Sequence, residues 1–151
     1  MFGRCYILKK IIPLLFALAL ILCGCSEPEK PPVKTADTSF DAVYKTGDFS
    51  FNCTVKWQNK TAFVTVNSTN AEGLTMSCDG REVTFSRGNM IKRESKENVD
   101  ATNPARLLWE IFTALENGGD KCSLGAFAVE KNDDMITQIS VGNISIVCSN
   151  K

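Results

Sequence analysis

The sequence predicts an α+β domain in which a curved antiparallel sheet of about eight strands wraps around one main helix. Three observations predict it. From Asp48 to Gln58 every odd position is apolar or aromatic and every even position is polar, the period-2 pattern of a strand with one face buried and one wet. Short alternating segments joined by short turns recur on both sides of a single helical stretch, which argues for an antiparallel sheet over a doubly wound one. The helical stretch itself carries an apolar arc of roughly 220°, against ~100° for a helix lying on a flat surface. The sheet must therefore curve around the helix, or something else must cover it.

The elements follow in order. Phe40-Asp41-Ala42-Val43-Tyr44 opens the domain as a helical turn or an edge piece. The strand Asp48–Gln58 buries Phe49, Phe51, Cys53, Val55 and Trp57. Asn59-Lys60 turns into Thr61–Ser68, with Ala62, Val64 and Val66 on one face. Asn70–Gly73 turns again into Leu74–Cys78. Asp79-Gly80 is a strong hairpin signal, because glycine accepts the positive φ that tight hairpins demand. Glu82–Arg87 returns with Val83 and Phe85 inward, and Arg87-Gly88-Asn89 leads to a short strand, Met90–Arg93. The helix runs from Pro104 to about Asn117: Asn103 suits the N-cap, Pro104 the first turn and Gly118 the C′ position. Leu108, Ile111, Phe112 and Leu115 form its central stripe, widened by Leu107 and Ala114 on one side and by Ala105 and Trp109 on the other. Three strands close the chain: Gly125–Lys131, Met135–Val141 and Asn143–Ser149. Asn132-Asp133-Asp134 between the first two is ordinary turn chemistry and matches no calcium-loop spacing.

Ahead of the domain, residues 1–10 carry Arg4, Lys9 and Lys10 and no acid. Residues 11–22 are a continuous apolar run, and at ~12 residues this is too short to span a bilayer. Leu22-Cys23-Gly24-Cys25 ends it. This order resembles a bacterial lipoprotein signal peptide. The resemblance implies cleavage after Gly24 and acylation of Cys25, so that acyl chains hold the protein on the outer face of the plasma membrane, or on an outer membrane if the cell has one. Residues 25–38 then read as the lipidated cysteine and a Pro-rich tether of alternating charge, too polar to offset its own ordering entropy. Extended, it would reach on the order of 40 Å. The domain is expected to occupy residues 39–151.

Removing 24 of 151 residues leaves 127, the size of one domain. The leader takes three of the 17 basic residues and no acids, leaving 14 basic against 17 acidic side chains. The charges are interspersed, so nothing points to nucleic acid. Histidine is absent, which removes the commonest general base and the commonest metal ligand. With no C-x-x-C pair either, metal binding and catalysis are not expected.

The strand Asp48–Gln58, the Asp79-Gly80 hairpin followed by Val83 and Phe85, and the helix from Pro104 together are similar to the LolA/LolB-like group of envelope proteins. The lipobox, tether and F-x-F-x-x-x-V strand also look like small lipoproteins of anaerobic spore-forming bacteria. The first resemblance implies a curved sheet around apolar helices, abbreviated here to one, and the handling of an apolar ligand or a lipidated partner.

Two sets of residues stand out, aromatics for that role and cysteines for disulfides. Trp109, at the margin of the helix stripe, is the best placed for a ligand or partner contact, with Trp57 and Phe112 behind it. The alternative is that these aromatics simply fill the core, since a domain of ~110 residues has little apolar surface to spare for a cavity. Beyond Cys25, the four cysteines Cys53, Cys78, Cys122 and Cys148 allow three disulfide pairings. Cys122–Cys148 is the easier bridge, because Cys53 and Cys78 would lie ~10 Å apart across two strand spacings. Against any bridge, inward cysteines serve equally well as small buried hydrophobes. The two functions left open are a membrane-anchored, non-enzymatic binding module for an apolar ligand or envelope partner, and a structural or assembly lipoprotein with a filled core.

Overall fold

The computed structural model describes residues 37–133 and 135–149. The lipobox, Cys25 and the tether through residue 36 lie outside the described residues. Ten strands form one open antiparallel sheet: β1 (Thr38–Thr46), β2 (Phe49–Gln58), β3 (Thr61–Val66), β4 (Thr75–Cys78), β5 (Glu82–Arg87), β6 (Met90–Ser95), β7 (Lys121–Cys122), β8 (Gly125–Asn132), β9 (Met135–Val141) and β10 (Ile144–Ser149). One α-helix, α1 (Pro104–Glu116), stands between β6 and β7 and is preceded by a single 3-10 turn at Lys96–Asn98. The fold is mostly β, and the strand count is ten against the expected eight.

The strand order is β6-β5-β4-β3-β2-β1-β10-β9-β8-β7. The first six strands are a meander. The chain then crosses through α1 to the opposite edge and works back, so that β10 seats against β1. This explains the main departure from expectation. Phe40–Tyr44 is neither a helical turn nor an edge piece: it belongs to the nine-residue β1, between β2 and β10 at the centre of the sheet. Its inward residues Ala42 and Tyr44 are each 2 % exposed, while Asp41 on the other face accepts a hydrogen bond from Thr54 Oγ1 at 2.7 Å. The second extra strand, β7, is only two residues long and pairs with Gly125 and Ala126 of β8.

The period-2 reading of β2 holds for Phe51, Cys53, Val55 and Trp57, all buried. Phe49 departs from it and is 57 % exposed, because β2 begins at the rim of the sheet beside the β1–β2 turn. The caps of α1 are those expected. Asn103 Oδ1 accepts from the N–H groups of Ala105 and Arg106, and Pro104 occupies the first turn. At the other end Gly118 adopts φ +73°, and the Gly118 and Gly119 N–H groups bond back to Leu115 and Ala114. That pairing is the Schellman arrangement.

The helix packs against β3, β4 and β7. In strand order β4 and β7 are seven steps apart, ~34 Å in a flat sheet, whereas a helix with its side chains is ~10–12 Å across. One helix touches both, so the sheet, although open, curves toward it, in keeping with the wide apolar arc. Leu107, Leu108, Ile111 and Phe112 are at most 1 % exposed against the inward faces of the strands. No described residue buries a polar or charged side chain completely, so the interior is an apolar core.

Candidate functional site

The three aromatic candidates separate into two settings. Trp57 and Phe112 meet inside the domain, with ring centroids 5.2 Å apart and planes tilted by 37°. Trp57 is 2 % exposed and donates its indole N–H to Glu116 Oε1 at 3.1 Å; Phe112 is fully buried. They fill the space between β2 and α1, and both are withdrawn from solvent.

Trp109 lies half-buried on the flank of α1, where three chain reversals meet. Its indole N–H donates to the Lys60 carbonyl in the β2–β3 turn at 3.1 Å, and Lys96 Nζ stands 4.9 Å from its ring centroid. Its edge packs on Gly80 in the β4–β5 turn, where a Cβ would come within 2.3 Å of Trp109 Cζ2. Gly80 also has φ +93°, and Asp79 Oδ1 accepts from the Arg81 and Glu82 N–H groups to complete the turn. These bonds hold the Asp79 carboxyl below its usual range. Trp109 is thus a clasp on the end of the sheet. Gly80→Ala should cost on the order of 2 kcal/mol, from backbone strain plus displacement of the indole. Urea denaturation checks this. In a Trp109→Ala background the same change should cost clearly less, and equal costs in both backgrounds would remove the contact from the account.

Of the alternatives left open for the cysteines, the Cys122–Cys148 bridge is not formed. β8 and β9 lie between β7 and β10, which puts the two residues three strand steps apart, about 14 Å in a flat sheet and well beyond disulfide reach. Cys53 and Cys148 are closer, since Ala42 is the register partner of both. They remain two spacings apart, and all four thiols are free. Burial pushes Cys53 and Cys148 up to about 11 and raises Cys78, which keeps all three protonated and inert near neutral pH.

Two polar devices escaped sequence reasoning. Tyr44 stacks on Phe51 with centroids 5.2 Å apart and donates its hydroxyl to the Thr102 carbonyl at 2.6 Å, which pins the segment entering α1 to the middle of the sheet. Burial, with Asp100 and Cys53 adding to it, pushes that phenol up to about 12. Arg106 and Glu110 form an i,i+4 ion pair at 3.1 Å on α1. Arg106 Nη1 also donates to the Lys96 and Val99 carbonyls, and Glu110 Oε2 accepts from the Ser123 N–H at 2.8 Å. The spacing of the pair was visible in the sequence; its backbone partners were not.

A cleft of about 220 Å³ lies where β1 begins beside the end of β2, lined by Asp37, Thr38, Ser39, Lys56, Trp57 and Gln58. Small-molecule sites are typically ~300–1,000 Å³ and mostly apolar, so this cleft is undersized. Among the described residues no group of three or more His, Cys, Asp or Glu side chains is placed to hold a metal ion. None of their helices is long and apolar enough to cross a membrane.

Comparison of the chain with protein-family models, with curated proteins and with solved structures finds no match.

Proposed function

We propose that this chain is a lipid-anchored envelope protein, attached through Cys25, whose filled domain works by docking through its surface and carries out no catalysis. The observation that carries this reading is the occupancy of the sheet's concave side. A LolA-like carrier would need that space for acyl chains. Here Leu107, Leu108, Ile111, Phe112 and Trp57 take it up, each at most 2 % exposed. A surface role draws further support from large apolar side chains left in solvent. Phe49, Met90, Ile91 and Leu124 are 36–71 % exposed. A fifth, Met135, 58 % exposed, stands apart beside the β8–β9 turn; the other four all sit at or beside the β1–β2, β5–β6 and β7–β8 turns. Strand direction places those turns at the end of the sheet remote from Thr38, where the tether joins.

Native mass spectrometry of the full-length protein, expressed in a bacterium and extracted from membranes in detergent, tests both halves. The expected species begins at Cys25, carries covalent acyl mass there and holds no additional lipid. A lipid that stays bound without a covalent bond would overturn the docking reading. An unmodified Cys25 would overturn the anchor.

A further inference from the structure

We propose that the outer face of the sheet, opposite α1, binds a neutral polysaccharide, with the Phe63 ring as the platform on which a sugar stacks. Phe63 is on the outer face, partly covered by its neighbours there: Ala62 and Val64 are fully buried on the inner face, and Phe63 alternates with them along β3. Cross-strand register surrounds it with hydrogen-bonding side chains. Lys56 and Ser77 are its direct partners on β2 and β4. Thr54 and Gln58 are the diagonal neighbours on β2, and Thr61 and Thr65 flank it along β3. Direct and diagonal neighbours on one face lie ~5–8 Å away, about the reach of one sugar ring's hydroxyl groups.

The chemistry of this patch selects its ligand class. A pyranose presents an apolar C–H face, which suits the electron-rich face of an aromatic ring. Its hydroxyls radiate sideways and need both donors and acceptors. Threonine and serine hydroxyls supply both, the Gln58 amide supplies both, and Lys56 supplies donors. Part of this array is already ordered. Thr65 Oγ1 lies 3.1 Å from Thr75 Oγ1, and Thr54 Oγ1 accepts from Asn67 Nδ2 at 2.8 Å while donating to Asp41. Lys56, Gln58 and Ser77 carry the remaining polar groups of the patch.

Other occupants fit less well. Across the outward positions of β1–β5 the only apolar side chains are Val43 and Phe63, too few for an acyl chain or a hydrophobic protein interface. Lys45 and Lys56 stand against Asp41, Asp48 and Glu82 in the same region, so no cationic track for nucleic acid exists there.

The proposal rests on the surface-docking reading, and co-sedimentation of the full-length, detergent-solubilised protein with washed insoluble glycans tests it separately. Chitin and cellulose are the two probes: both are neutral β-1,4-linked polymers, and they differ in the N-acetyl group. The expected result is saturable binding to at least one of them. Phe63→Ala should weaken that binding about tenfold or more, Phe63→Trp should preserve it, and Ser145→Ala on β10 should leave it unchanged. If Phe63→Ala fails to fold, Gln58→Ala should show the same direction of loss on an intact domain. Binding of neither polymer overturns the proposal, as does undiminished binding by both Phe63→Ala and Gln58→Ala. A clean native mass spectrum with no glycan binding would overturn this inference alone and leave the docking reading standing.

Discussion

Phe112→Ala is expected to destabilise the domain by about 3–5 kcal/mol, the range for truncating a fully buried aromatic. The ring is completely buried and pairs with Trp57 at 5.2 Å, so the change deletes apolar contact on both residues and opens a void beneath α1. α1 is anchored at both ends, by the Asn103 cap and by the Schellman turn, so it cannot readily collapse into the void. Small domains hold only about 5–15 kcal/mol in total, so this one substitution should move the urea midpoint far toward zero. Phe112→Leu, which keeps most of the volume, should cost about 1–1.5 kcal/mol. The ratio of the two losses is informative. A cost below about 1 kcal/mol for the alanine variant would mean that the ring already borders empty space, and the filled interior on which the proposed function rests would then be wrong.

What could be read from the sequence was local. The alternation from Asp48 to Gln58 places one face of β2 without any knowledge of its neighbours, and Asn103-Pro104 with Gly118 mark both ends of α1. The arc on α1 reached further, because an apolar surface that wide demands cover on several sides. What escaped was non-local. β1 became a central strand only because β10, a hundred residues later, pairs with it. The same crossover put two strands between Cys122 and Cys148, which no spacing rule could reveal. Trp109 stands at the margin of the apolar arc, as helical spacing implies, but its partners Lys60 and Gly80 sit in turns that meet only in the folded sheet. Phe63 falls on the polar face of its own alternating strand, so alternation alone assigns it no role. An aromatic out of phase with its neighbours is the signal that could have found it.

Arg106→Ala is the second large effect, expected at on the order of 3 kcal/mol, as for breaking an ion pair that is largely withdrawn from solvent. Its side chain is 15 % exposed and that of Glu110 is 11 %. Removing Arg106 leaves the Glu110 charge without its cation and the Lys96 and Val99 carbonyls without their donor. Those contacts tie the chain before α1, and the Ser123 N–H the chain after it, to a single turn of the helix. The effect is therefore structural as well as electrostatic. Arg106→Lys should recover only part of the loss, because an ammonium cannot serve Glu110 and the two carbonyls in one fixed fork. The pair also predicts a pH dependence. Burial opposes the Glu110 charge, but the Ser123 hydroxyl and N–H, together with the Arg106 guanidinium, outweigh it and hold the carboxyl below the usual carboxylate range. A carboxyl whose folded pKa is depressed adds stability that is fully present above its unfolded value, near 4.3. That stability is lost as pH falls through the lower folded value. Asp79, lowered by its turn N–H groups, and Asp100, lowered by its bonds to Thr102, act in the same direction. Urea midpoints measured from pH 7 down to pH 3 should therefore fall on the acid side in the wild type. The Glu110→Gln variant should start lower at pH 7 and fall less steeply. Parallel curves for the two proteins would show that Glu110 ionisation does not hold the helix to its flanking chain.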